Sequence, residues 1–138
     1  MDNLSKVRRS WNMGQISSRN TKPELRVRSI IHNLGIRFRL HCKSLAGTPD
    51  LVFRSRRTVL FVHGCFWHRH ENCKNSRMPA SRREFWETKL NGNVKRDQNN
   101  LLTLTELGWN VIVVWECELK CEAALTRRLK CELRGSCG

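Results

Sequence analysis

The sequence predicts an α/β domain built on a mixed sheet, and three observations point there. Apolar residues recur at helical spacing before residue 35 and again beyond residue 82. Between residues 36 and 62 the period falls to two or dissolves into short apolar runs. A further run, Trp109-Asn-Val-Ile-Val-Val-Trp115, returns after the second helical stretch. The resulting order is helix, three strands, helices, strand, helix, which suits a central sheet flanked by helices.

The elements follow in order. Residues 1–20 are basic and polar and are expected to form an N-terminal arm. Thr21 followed three residues later by Glu24 fits a capping box, and Pro23 is tolerated in a first turn. Val27, Ile30, Ile31 and Leu34 then fall on one helical face and Gly35 is a stop signal, so a helix is predicted over 22–34. Ile36, Phe38 and Leu40 alternate with Arg37 and Arg39, as in a half-buried strand. After Gly47-Thr48-Pro49, Asp50 to Phe53 reads as a second strand, and Arg54 to Arg57 as a hairpin turn. Val59 to Val62 has the unbroken apolar character of a central strand. Residues 64–80 are rich in Cys, His and Asn and predict a loop. Helices are expected over 82–90 and 94–107, ending at Gly108, and strand 109–115 follows. Leu125, Leu129 and Leu133 mark a last helix within a C-terminal helix and tail, 118–138.

A chain of 138 residues fits one domain with a core of its own. Its 26 Lys and Arg against 12 Asp and Glu give a formal net charge of +14. Nucleic acid is the commonest partner for that excess. No segment approaches the ~18 apolar residues of a membrane span, and the N-terminal stretch has no apolar signal core. The expectation is a cytoplasmic protein without membrane attachment, in which the seven Cys serve as metal ligands or thiols rather than a disulfide framework.

Four features carry candidate chemistry. Asp50 opens a strand that pairs with 59–63. It offers a hard oxygen to Mg²⁺, and the Val62 carbonyl offers a second; taken alone, Asp50 reads first as a turn-capping residue. Glu24 reads first as the capping-box acid and second as an acidic neighbour of that metal. Cys65 and Cys73 lie eight apart with His68 and His70 between them. A closed zinc site needs four ligands, and the set Cys65, His70, Cys73 and Cys117 supplies them, with Cys121 the alternative to Cys117. Phe66-Trp67 and Phe85-Trp86 are adjacent aromatic pairs in polar surroundings. They suit stacking on bases or wedging into a base step, although at least one of the four is expected to pack as core.

One stretch is the most specific: Phe61-Val-His-Gly-Cys-Phe-Trp-His68. With it stand Ser10-Trp-Asn-Met13, Gly47-Thr-Pro-Asp50, Arg83-Glu-Phe-Trp86, Asn93-Val-Lys-Arg-Asp97 and Glu106-Leu-Gly-Trp-Asn-Val-Ile-Val-Val-Trp-Glu-Cys117. In this order, from about Arg8 to Leu119, the chain resembles the very-short-patch mismatch repair (Vsr) endonucleases. The resemblance implies a restriction-endonuclease-like fold with a structural Zn²⁺ and a catalytic Mg²⁺. It implies nicking of one strand of duplex DNA beside a T·G mismatch left by 5-methylcytosine deamination, by a monomer working alongside repair-pathway proteins near the nucleoid. By family pattern Asp50 is the metal carboxylate and His68 the general base; Glu24 and His63 assist, and Asp97 orients His63. Phe66, Trp67 and Trp86 enter from the major groove and Met13 wedges from the minor groove. Two other readings share these residues: a restriction or homing-type nickase acting on paired DNA, and a zinc-bound DNA-binding module that does not cleave. The roles of Cys121, Cys131 and Cys137 are left unassigned.

Overall fold

The computed structural model describes residues 21–134. Met13 and the whole basic arm, residues 1–20, therefore lie outside the described residues. The first helix, α1 (Lys22–Asn33), starts where the cap predicts: the Thr21 hydroxyl accepts the Glu24 N–H at 3.3 Å. It ends in a Schellman turn. Gly35 takes φ +75°, its N–H donates to the His32 carbonyl at 2.9 Å, and the Ile36 N–H reaches back to Ile31.

Four strands make one sheet in the order β1 (Arg39–Leu40), β2 (Leu51–Phe53), β3 (Thr58–His63), β4 (Asn110–Trp115). β2 pairs antiparallel with both β1 and β3, and β3 runs parallel to β4, so the sheet is mixed as expected. β1 is shorter than the predicted 36–40 segment. Ile36 and Phe38 still face the core, whereas Leu40 is exposed.

The parallel step from β3 to β4 needs a long crossover, and α2 (Arg83–Glu106) provides it. Two helices were expected here, broken near Asn91-Gly92-Asn93. The structure has one continuous helix of 24 residues. A mid-helix glycine costs only about 1 kcal/mol, and the Asn93 amide is bound by the Trp67 carbonyl, to which it donates at 3.0 Å. The last helix, α3 (Glu122–Arg134), buries Leu125, Leu129 and Leu133.

Helices cover both faces of the sheet. On one face Val27, Ile30 and Ile31 of α1 and the three leucines of α3 pack on Leu51, Phe53, Leu60, Ile112 and Val114. On the other, Leu104 of α2 packs on Val52, Val59 and Phe61, with Trp109 and Val111 at the margin. Alternation along β3 thus sends Leu60 one way and Phe61 and His63 the other. Among the described residues, no helix is long and apolar enough to cross a membrane.

Candidate active site and metal centre

Three clusters gather at the end of the sheet where β2 begins and β3 and β4 finish. The first contains Glu24, His41 and Asp50, whose ligand atoms lie within 4.8 Å of one another. Asp50 stands just before β2, and its Oδ2 accepts the Val62 N–H at 2.7 Å. Burial and the neighbouring Glu24 push the Asp50 carboxyl up to about 8. Two carboxylates this close and this dry share a proton when no cation is present, and a divalent cation answers the same charge. The oxygen-rich donor set fits a hard ion such as Mg²⁺.

Glu24 corrects the preferred reading of its sequence position. Thr21 does cap its backbone N–H, but the Glu24 side chain does not turn back to complete the box. It is 2% exposed and points inward, ion-paired with Arg28 and 3.1 Å from His41 Nε2. His41 and Arg28 were not found by sequence reasoning. The ladder explains His41: Arg39 pairs with Val52 and Leu40 with Leu51, so His41 falls opposite Asp50 and its N–H donates to the Asp50 carbonyl at 3.3 Å.

The second cluster is His63, His68 and Asp97. The His63 and His68 rings are stacked, with centroids 3.8 Å apart and planes within 4°. Asp97, on α2, makes its hydrogen bond to His68 Nδ1 at 2.6 Å, not to His63 as the family pattern implies. Burial, and then the charge of His68, hold His63 down to about 4. A cleft of about 570 Å³ opens beside this pair; Val62, Trp67, His68, Arg96 and Asp97 line it.

The third cluster is Cys65, His70, Cys73 and Cys117, again with ligand atoms within 4.8 Å of one another. Strand register builds half of it. His63 pairs with Trp115 in the parallel β3–β4 ladder, so Cys65 and Cys117 leave their strands side by side. The His70 ring stacks on Trp115, at 4.2 Å and 9°. Zn–S near 2.3 Å and Zn–N near 2.0–2.1 Å imply a tetrahedral S···N edge of about 3.6 Å. Cys117 Sγ and His70 Nδ1 are 3.5 Å apart. Burial pushes the Cys65 thiol up to about 12 and raises Cys117, whereas a backbone hydrogen bond from Asn75 lowers Cys73. A soft dication would replace those protons. The residues fit Zn²⁺ with every position filled by protein, and Cys121 stands outside the cluster as an exposed thiol.

The aromatic residues form a fourth group. Phe66, Trp67, Phe85 and Trp86 meet edge to face, with centroids 5.2–6.0 Å apart. None of the four is buried core, contrary to expectation, and Phe85 is 44% exposed. Their partners are one another and two cations: the Arg82 guanidinium, 4.4 Å over Phe85, and the Lys89 ammonium, 5.8 Å over Trp67 and 5.9 Å over Phe85. The loop from Gly64 carries Phe66, Trp67, His68 and His70, and the first turn of α2 brings Phe85 and Trp86 to them.

The chain is similar to known proteins over most of its length. Residues 1–75 match the model of the family described as DNA mismatch endonuclease Vsr. The type II nicking enzyme V.XorIIP of Xanthomonas oryzae is 53% identical over 129 residues, 94% of each chain. The DNA mismatch endonuclease Vsr of Escherichia coli is 45% identical over 130 residues, 91% of this chain and 83% of its own. The type II nicking enzyme V.NmeAIP of Neisseria meningitidis is 42% identical over 128 residues, 93% and 91%.

Proposed function

The chain belongs to the DNA mismatch endonuclease Vsr family, and we propose that it nicks one strand of duplex DNA beside a T·G mismatch in a Mg²⁺-dependent reaction. The observation that carries this reading is a shared cleft. His68, bound to Asp97, lines it together with Val62, whose N–H binds Asp50. The candidate base and the backbone neighbour of the candidate metal carboxylate thus face one cleft, which supports a single site.

Each residue then has a task. Asp97 accepts the Nδ1 proton of His68, which leaves Nε2 with its lone pair to take a proton from water. His63, with its pKa near 4, stays neutral at pH 7 and supports the His68 ring without competing for that proton. Asp50, with Glu24 behind it and the Val62 carbonyl beside it, is the holder of Mg²⁺. In an extended strand a residue's N–H and C=O point to the same side, so that carbonyl faces Asp50. A divalent cation there supplies charge neutralisation for the scissile phosphate and orients water. Zn²⁺ on Cys65, His70, Cys73 and Cys117 braces the loop, since four protein ligands leave no open position.

Recognition falls to the surface around the cleft. The +14 charge supplies salt-dependent affinity for backbone phosphates. Phe66, Trp67 and Trp86 are the wedge into the base stack, and Met13 of the arm is its minor-groove counterpart. We read the mixed sheet, with an acid at the head of a β hairpin and helices on both faces, as restriction-endonuclease-like.

V.XorIIP and V.NmeAIP are called type II nicking enzymes, and a nickase that acts on fully paired duplex is the second reading. One assay separates the two: nicking of labelled duplexes carrying T·G, U·G or no mismatch, with Mg²⁺ or with EDTA. Mismatch-dependent, EDTA-sensitive nicking is expected. Equal nicking of paired duplex favours the second reading, and no nicking with bound DNA favours a binding module.

A further inference from the structure

Glu24 is more deeply enclosed than any other acid described, and it is not enclosed alone. Its Oε2 pairs with the Arg28 guanidinium one turn along α1, and its Oε1 lies 3.1 Å from His41 Nε2. Arg28 Nη2 is itself 3.5 Å from that imidazole nitrogen. Arg28 and His41 are both only 16% exposed, so water does little to screen them. The proposed metal cluster therefore contains two carboxylates and one fixed cation, and once an incoming ion has displaced the proton the carboxylates share, it offers that ion one net negative charge rather than two.

Resting on the reading of Asp50 and Glu24 as the metal site, we propose that Arg28 is a built-in counter-charge. With His41 fixing the Glu24 carboxylate, it keeps divalent cations weakly bound until a DNA phosphate supplies the missing negative charge. The balance is simple. Two carboxylates, one guanidinium and one dication leave a net charge of +1, and one phosphodiester brings it to zero. Without Arg28 the carboxylates alone would neutralise the dication, and the ion would stay bound with no DNA present. Such a device confines the assembled cutting centre to protein already seated on duplex. It also makes Arg28 a determinant of cation affinity that touches neither the base His68 nor the aromatic wedge.

The test counts Mn²⁺, whose electron paramagnetic resonance signal is lost on binding, in the zinc-loaded, DNA-free protein. Removing one buried unit charge beside a dication is worth at least a roughly ten-fold gain in affinity. Arg28→Gln should show that gain and Arg28→Lys should behave as the parent. Adding Asp50→Asn to Arg28→Gln should abolish the gain. Affinity of Arg28→Gln within two-fold of the parent overturns the counter-charge. A gain that survives Asp50→Asn overturns the site reading as well, because the ion is then bound elsewhere. A further measurement needs no variant. Ca²⁺ should tighten duplex binding by the parent relative to EDTA, because cation and DNA must favour each other equally; an unchanged DNA affinity overturns the proposal.

Discussion

The imidazoles of His63 and His68 lie face to face, 3.8 Å between centroids and 4° between planes, and only His68 carries a carboxylate partner. Two histidines in contact cannot both be charged at little cost, and burial decides which one stays neutral. His68→Ala is expected to slow nicking by about 10²–10⁴, the usual range for a lost general base. Asp97→Asn should slow it less. Because the two act as one unit, His68→Ala with Asp97→Asn should be no slower than His68→Ala alone. Single-turnover rates on a T·G duplex give the comparison, and losses that multiply would separate Asp97 from His68.

Asp50→Asn is expected to keep the fold and DNA binding while abolishing nicking. Affinity for DNA without cation should hold or rise, since a negative charge near the phosphate is gone. A variant that nicks near the parent rate places the site elsewhere.

The same carboxyl sets a pH dependence for the cation. With its pKa raised to about 8, Asp50 holds a proton at neutral pH in the metal-free protein. Cation binding must displace that proton, so affinity rises as pH climbs toward 8 and flattens above it. Calorimetry in buffers of different ionisation enthalpy should record proton release at pH 7 and almost none at pH 9. Equal release at both would assign the proton to another group.

Zinc removal should act on stability first. Purified protein is expected to carry about one Zn²⁺ per chain, and Cys65→Ser should release it and lower the unfolding midpoint. His68 sits on the same loop, so nicking falls with the metal. Zinc-free protein of unchanged stability would deny the brace.

Trp67→Ala tests the wedge. It removes a ring that touches both Phe66 and Trp86 and lies under Lys89. The preference for T·G over paired duplex should shrink by roughly 1–3 kcal/mol, the worth of one base–aromatic stack. The measurement is the ratio of binding constants for the two duplexes, at matched salt.

Local pattern was enough for the elements. The period of apolar residues, the Thr21 cap and the Gly35 stop are properties of a few neighbouring residues, and they predicted α1, β2, β3, β4 and α3 within a few positions. Motif order was enough for the family. Spacing along the loop also brought Cys65, His70 and Cys73 together with Cys117, because zinc ligands are few and chemically distinctive. The partners inside each cluster were decided only by tertiary structure. His41 reaches Glu24 and Asp50 because β1 and β2 pair in one register, and a slip of one residue would turn it to the other face. Asp97 meets His68 rather than His63 because α2 runs unbroken through Gly92 and sets the phase of its inner face. Glu24 abandons the capping box for a buried ion pair because Arg28 and His41 offer a dry carboxylate more than one backbone N–H does. Register, helix phase and burial are relations between distant segments, and no local pattern carries them.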